Sequence, residues 1–186
     1  MRDTLGLKKG AVALLPHDKE WETEGERTVR ELGSIFGTAA VDIRHVGSTS
    51  VPTIPAKPII DIALAVRDFD AVTPLLDTLR SKGYYLRPTD NTLDQLLLAK
   101  GSFYDGTGDL QTHFIHVVIM DSRQWRDYLN FKRYLIEHPA VACEYAELKL
   151  SLAKLAPVNE GRAAYLAGKH SFIDSVLAQA ASLYEN

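Results

Sequence analysis

The sequence predicts an α+β fold, in which a small mixed β-sheet with flanking helices is followed by a helical C-terminal half. Two strongly apolar segments of strand length, Ile59–Val66 and His113–Met120, lie before residue 121. Beyond them, apolar residues recur at helical spacing to the end of the chain. We expect a chain of 186 residues to form one domain over 1–186. Its sheet part would span about 11–120 and its helical part about 121–186.

The N-terminal region predicts an extended segment, a helix and a strand. Ala11–Leu15 is typical of a short strand or extended arm, and Pro16 ends it. Asp18–Leu32 has helical spacing, with Asp18 as the N-cap. Ala39–Val46 alternates in the manner of a strand.

Ile59–Val66 is nearly continuous in apolar residues, which favours a central strand buried on both faces. The same patterns predict the elements that follow, which are a crossing helix, two strands, a turn-rich loop and another strong strand. In order they occupy Ala71–Lys82, Tyr84–Arg87, Leu96–Lys100, Gly101–Asp109 and His113–Met120.

The C-terminal half predicts three helices. Asp121 is the expected cap of a helix that ends near Glu137, and Pro139 fits the first turn of the next helix. Pro157 breaks this second helix, and Glu160–Leu183 forms the last one.

Composition restricts the function classes. The net charge of −3 gives no general attraction to nucleic acids or anionic membranes, so binding to a polyanion would have to come from a local patch, and no nucleic-acid or membrane partner is expected. The single cysteine, Cys143, excludes an internal disulfide. No segment approaches membrane-spanning length, and the N-terminal apolar patch is too short for a signal peptide. A cytoplasmic location is therefore expected, and the oligomeric state stays open.

A candidate site lies between His45 and Val66. A small-residue turn, Gly47-Ser48-Thr49-Ser50, offers backbone N–H groups and hydroxyls to a phosphate. A plain polar turn between two strands is the alternative. Three prolines at 52, 55 and 58 stiffen the loop after it, and Lys57 adds a positive charge, which favours a loop shaped for a ligand.

Asp61 is the one charged residue of its apolar strand, and an unsatisfied carboxylate is expensive to bury there. As a functional residue it would bind Mg²⁺ or another divalent cation. As a structural residue it would bond to the backbone or pair with Arg44 or Lys57.

Three histidines are further candidates. His45 precedes the turn, while His113 and His116 begin a strand expected beside Asp61. Because side chains alternate along a strand, only one of the latter two can face Asp61, and we favour His116 as metal ligand and acid–base group. The alternative for each histidine is a hydrogen-bonded residue at a strand end, which is the interpretation that we favour for His113.

The C-terminal helices place Tyr145 four residues before Lys149, and Tyr165 four before Lys169, so that each pair shares a helix face. Such a face can close over the sheet and supply cations to a phosphorylated ligand. The tyrosines can stack on a base or pack in the domain core. The alternative is a solvated basic face with buried aromatic rings.

Several motifs together resemble the GrpB-like family of the nucleotidyltransferase superfamily. They are HVGSTSVP followed by AKPIIDI, then H-x-x-HVV, HPAVACEYAELK and Y-x-x-x-K-x-x-FI. The resemblance implies a nucleotidyltransferase-like core in which Gly47 and Ser48 match the Gly-Ser turn and Asp61 the first acidic position. It also favours ligand contacts for the cations of the helical half, Arg133, Lys149 and Lys169.

The sequence departs from that superfamily at two acidic positions. Ala63 stands where a second carboxylate is usual, and the neighbouring strand offers His116 and no acid. Asp61 with His116 can hold one ion, whereas two-metal transfer needs several carboxylates.

The functions implied are therefore nucleotidyl transfer with a divalent ion, or a non-catalytic module that binds a nucleotide or phosphorylated metabolite. GrpB-like domains also occur joined to dephospho-CoA kinases, which implies a possible link to coenzyme A metabolism. This chain has no GxxxxGK[ST] phosphate loop of its own.

Overall fold

The computed structural model describes residues 5–155 and 162–185. Its strands are β1 (Leu7–Lys8), β2 (Ala40–Val46), β3 (Ile60–Val66), β4 (Tyr84–Leu86), β5 (Gln95–Lys100), β6 (Leu110–Gln111) and β7 (His113–Ile119). Its helices are α1 (Lys19–Phe36), α2 (Leu76–Ser81), α3 (Ser102–Asp105), α4 (Arg123–Glu137), α5 (Pro139–Leu155) and α6 (Arg162–Tyr184). The predicted α+β architecture with a helical C-terminal half is confirmed.

Five strands form one mixed sheet in the order β2-β3-β7-β5-β4. β3 and β7 run parallel, with Ala63 opposite His116, and the other neighbours are antiparallel. β3 lies between two strands, as its apolar sequence predicts. β1 and β6 form a separate two-stranded ribbon.

Successive side chains of β3 point to opposite faces of the sheet, and the two faces have different neighbours. Ile62 and Leu64 face a core that includes Trp21 and Leu32 of α1, all fully buried. Ala63 and Ala65 face the opposite side and pack with Trp125 of α4. Asp61 is on this second side, which the helical half covers.

The first helix confirms its predicted start. The side chain of Asp18 accepts a hydrogen bond from the backbone N–H of Glu20, which satisfies one free donor of the first turn. The helix continues four residues past Leu32 and ends at Phe36, because the stop is Gly37, with φ of 52°, rather than Gly33.

Three other predictions need correction. The crossing helix is α2 alone, since Pro74 lies in one of two short 3₁₀ turns before it. Ser122, not Asp121, caps α4 by accepting from the N–H of Trp125, and Asp121 has a φ of 60°. The loop after Lys100 contains the short helix α3.

The segment Ala11–Leu15, which the sequence predicts as a short strand or extended arm, makes little β-pairing. Leu15 alone pairs there, with Ala56, whereas Leu7–Lys8 forms the regular strand. The predicted break at Pro157 and helix start at Glu160 lie outside the described residues.

The loop between β2 and β3 is anchored to the helical half. Val51 and Ile54 of this loop are buried with Leu135 of α4 and Tyr145 of α5. Through these contacts the helices hold the loop against the end of the sheet. None of the described helices has the length and apolar character needed to cross a bilayer.

Candidate functional site

The turn after β2 and the acid on β3 lie directly against each other. Gly47 has a φ of 68°, and a Cβ atom added there would lie 2.7 Å from Oδ2 of Asp61. The antiparallel pairing of Val46 with Asp61 sets this approach. Glycine is therefore required both by the backbone conformation and by the carboxylate beside it.

The three hydroxyls of the turn have different partners. Ser50 Oγ donates to the Gly47 carbonyl over 2.7 Å and braces the turn. Thr49 Oγ1 lies 3.0 Å from Nε2 of His45, with which it shares a hydrogen bond. Ser48 Oγ accepts from Nζ of Lys149 over 3.1 Å. Ser48 and Thr49 also line a cavity, whereas Ser50 is taken up by the turn itself.

Lys149 links α5 to the loop. Its side chain is 1% exposed, and Nζ also donates to the Pro55 carbonyl over 2.6 Å. The ring of Tyr145 lies 4.6 Å from the same nitrogen. Burial, with a smaller contribution from Lys169, lowers the pKa of Lys149 to about 7, because removal from water disfavours the ammonium.

Two more lysines meet at one aromatic ring. Nζ of Lys57 lies 4.4 Å and Nζ of Lys169 4.7 Å from the ring centroid of Tyr165, which is 2% exposed. The ring thus holds two ammonium groups from distant parts of the chain beside the turn.

These groups surround a cavity of about 140 Å³. Its lining combines the turn, the acid, the three lysines and a few apolar side chains, namely Ser48, Thr49, Lys57, Ile59, Asp61, Phe114, Lys149, Tyr165, Leu166 and Lys169. The sequence-predicted Ser48, Thr49, Lys57, Asp61, Lys149 and Lys169 are therefore brought together.

A second cavity of about 620 Å³ adjoins the first and shares Asp61, Phe114, Leu166 and Lys169 with it. Apolar and aromatic side chains form much of its lining, and several polar and charged side chains complete it. The residues are Val46, Gly47, Asp61, Leu97, Phe114, His116, Gln124, Asp127, Tyr128, Phe131, Leu166, Lys169, His170, Ile173, Asp174 and Leu177. We call the two cavities together the cleft.

His116 lies next to Asp61 in the larger cavity. Its Nε2 is 3.3 Å from Oδ1 of Asp61, and its ring centroid is 4.9 Å from that of Tyr128. Nδ1 is buried and has no hydrogen-bond partner among the described residues. The opposite orientation expected for His113 is observed, because its Nε2 lies 2.9 Å from Oε1 of Glu24 on α1.

The donors at Asp61 do not fit a resident magnesium ion. Mg²⁺ prefers six oxygen ligands in octahedral geometry, whereas this position offers one carboxylate and one imidazole. Within residues 5–155 and 162–185, no three His, Cys, Asp or Glu side chains converge as metal ligands do. A divalent ion would have to arrive with a ligand that supplies most of its oxygens.

Ala63, which stands where the superfamily usually has a second carboxylate, lies in the protein core. It is 0% exposed and packs with Val46, Val118 and Trp125, because α4 lies over this part of the sheet. The position is part of the core and does not line the cleft.

Three predicted ligand residues lie outside the lining of the cleft, namely Ser50 of the turn, His45 and Arg133. His45 faces α1 in contact with Gly25, and burial followed by Lys132 lowers its pKa to about 4. Arg133 is exposed, with Nε donating to Glu137 over 2.8 Å and its guanidinium 3.9 Å from the ring of Tyr184. The spacing within helices did not reveal which face each cation occupies.

Sequence reasoning missed the apolar wall of the cleft. Tyr128 and Phe131 of α4 line the cleft, but their helical spacing is the same as that of residues that pack in a core. Phe114 also lines the cleft, and its position in an alternating strand pattern does not distinguish it from other strand residues. The four-residue spacing of Tyr165 and Lys169 pointed to α6, which contributes Leu166 and Ile173 to this wall.

A model of the GrpB protein family matches residues 11–179. The chain belongs to the GrpB family. The glutamate-rich protein GrpB of Alkalihalophilus pseudofirmus is 33% identical over 174 residues, which cover 93% of this chain and 98% of that protein. The crystal structure of the conserved protein GrpB from Enterococcus faecalis superposes with a TM-score of 0.80 at 27% identity, over 94% of this chain and 100% of that chain.

Other similarities are partial. A dephospho-CoA kinase of Mycolicibacterium paratuberculosis is 36% identical over 84 residues, which are 44% of this chain and 21% of that enzyme. A cytoplasmic RNA terminal U-transferase aligns over 73% of this chain and 43% of its own, with a TM-score of 0.43 at 13% identity. A likeness this weak supports no statement about activity.

Proposed function

We propose that this GrpB-family protein binds a nucleotide or a related phosphorylated small molecule in the cleft. The observation that carries the proposal is the junction of a small cationic cavity at the Gly47–Ser50 turn with a larger apolar cavity. A ligand with a phosphorylated end and a planar or apolar end matches this division.

The smaller cavity favours the phosphate end. Lys57 and Lys169 contribute two ammonium groups beside Ser48, and among the residues that the structure describes Asp61 is the one carboxylate in the lining. In a partly enclosed site these charges act through a lower effective dielectric than in water, which strengthens their attraction for an anion. Both ammonium groups are held near Tyr165, so less side-chain entropy is lost when a ligand binds.

The larger cavity favours an organic group. Tyr128 and Phe131 on successive turns of α4 provide aromatic surface, with Leu97 and Ile173 on other sides. Gln124 and Asp127 add polar groups to this lining. A nucleobase combines a flat apolar face with a polar edge, and this lining suits both.

A second candidate function is nucleotidyl transfer to a small acceptor. Asp61 lies against the turn at the position that the superfamily resemblance assigns to its first acid, which favours this function. Ala63 is buried under Trp125, so the usual pair of metal-binding carboxylates does not support it. Binding is therefore the primary proposal. The exposed, single Cys143 favours a reducing compartment, and we propose the cytoplasm.

The test is calorimetric titration with ATP, GTP, CTP, UTP and dephospho-CoA, each with and without Mg²⁺. Dephospho-CoA is included because partial relatives are named dephospho-CoA kinases. We expect Lys57→Ala and Lys169→Ala each to weaken binding about 10- to 100-fold, the loss typical of a charge-assisted hydrogen bond.

Arg133→Ala is the matched control, because Arg133 is a cation of the same helical half that does not line the cleft. It should bind like the wild type. Absence of binding for every compound, or equal weakening by the control, would refute the proposed cleft. Pyrophosphate release in the presence of an acceptor, abolished by Asp61→Asn, would support the transfer function.

A further inference from the structure

Ser48 and Lys149 form a hydrogen-bonded pair in the wall of the smaller cavity. Their side-chain atoms are 3.1 Å apart, and both residues line the space assigned above to phosphate. Lys149 is almost fully buried and is oriented by a second hydrogen bond, to the Pro55 carbonyl over 2.6 Å. A hydroxyl beside a basic group that a third group orients is the arrangement of an activated nucleophile.

Burial of Lys149 favours its uncharged amine over the ammonium. The ring of Tyr145 lies 4.6 Å from Nζ, and the Tyr145 hydroxyl shares a hydrogen bond with Ser48. Burial lowers the pKa of Lys149 to about 7, so a large fraction of the amine is uncharged near neutral pH. Within the part of the chain that the structure describes, the other ionisable groups that line this cavity are Lys57, Asp61, Tyr165 and Lys169.

We propose that Ser48 is a catalytic nucleophile that attacks the phosphorus of a phosphate ester or anhydride bound in the cleft, with Lys149 as its general base. For the class of substrate, this inference rests on the proposed function. It adds a covalent step that does not depend on a carboxylate at position 63.

With a nucleoside triphosphate, the reaction has two displacements at the α-phosphorus. The bond from Ser48 Oγ to the α-phosphorus forms while the bond from that phosphorus to pyrophosphate breaks, and the hydroxyl proton passes to Nζ of Lys149. A water molecule or an acceptor hydroxyl then attacks the same phosphorus. The Oγ–phosphorus bond breaks, and Ser48 regains its proton from Lys149 while the incoming hydroxyl releases one to solvent.

A fluorophosphonate ester tests the nucleophile without knowledge of the substrate, because it phosphonylates activated serines and releases fluoride. The full chain would be incubated with the probe at pH 8 and followed by intact-mass spectrometry, with peptide mapping to locate the adduct. We expect one adduct on Ser48, none in Ser48→Ala, and labelling slowed about 100-fold in Lys149→Met.

Ser151→Ala and Lys154→Met are the matched controls, because both residues are exposed on α5, the helix that carries Lys149. They should label like the wild type. Circular dichroism would verify that every variant is folded. A folded wild type without an adduct, or an adduct on another residue, would overturn the proposal. Undiminished labelling in folded Lys149→Met would overturn the general-base role.

The outcome is separable from that of the proposed function. Nucleotide binding by titration with no adduct on Ser48 would leave the binding proposal standing and refute the nucleophile. An adduct on Ser48 without any nucleotide binding would support the nucleophile and refute the nucleotide as ligand.

Discussion

Replacing Lys149 by methionine is expected to change how the stability of the protein depends on pH. Burial lowers the pKa of this lysine from 10.5 to about 7 in the folded protein, whereas the unfolded chain keeps the higher value. Between these two values the unfolded state binds a proton that the folded state does not. The free energy of unfolding therefore rises with pH through this window, and below about pH 7 the full cost of burial is present.

The size of the effect follows from the two pKa values. From pH 7.5 to 9.5 the unfolded lysine stays protonated and the folded one stays mostly neutral, so the slope is close to ~1.4 kcal/mol per pH unit. Over two units Lys149 contributes an increase of about 2 to 3 kcal/mol to the free energy of unfolding. Methionine has a similar shape and no charge, so the variant should lack this increase.

The assay is urea denaturation of the wild type and Lys149→Met at pH 7.5 and 9.5, analysed as a difference of differences. All other ionisable groups are the same in the two proteins, so their contributions cancel in this comparison. Lys154→Met, on an exposed position of α5, should follow the wild type. A double difference below about 1 kcal/mol would refute the reasoning, because the amine would then be solvated or its charge compensated in the folded state.

Two further predictions concern the turn and the sheet beneath the helical half. Gly47→Ala should lower the free energy of unfolding by about 1–2 kcal/mol in urea denaturation, because of its positive φ, and should weaken ligand binding because its Cβ would displace Asp61. An unchanged affinity would show that the position of Asp61 does not matter to the ligand. Ala63→Asp should destabilise the protein by ~3–5 kcal/mol by thermal or urea unfolding, since it buries a charge beside Trp125. Creation of metal-dependent nucleotidyl transfer by Ala63→Asp would contradict the assignment of this position to the core.

The elements with strong local signals were predictable from the sequence. β3 and β7 lie close to the predicted bounds, because long apolar runs of strand length have few alternatives. The Asp18 cap was also readable, since the capping bond is made within the first turn of the same helix. Asp121 was a misleading signal, because the neighbouring Ser122 competes for the same capping role and the structure selects it.

The candidate site was predictable only in part. The turn and Asp61 are near in sequence, and an antiparallel return brings such residues together, so their proximity follows from local pattern. The sequence does not show which cations of the helical half line the cleft. Lys149 and Lys169 line it, whereas Arg133, in the same half of the chain, pairs with Glu137. Spacing along a helix gives the shared face but not its direction.

The sequence by itself determined the fold class, the stiff small-residue turn and the lone acid on an internal strand, because these depend on interactions between residues close in the chain. The tertiary structure decided the rest. Only the packing of the helical half on the sheet shows that Lys57 and Lys169 meet at Tyr165, that Lys149 is buried against Ser48, and that Ala63 belongs to the core. Such contacts join residues up to about a hundred positions apart, and their geometry depends on how whole elements pack rather than on any local pattern.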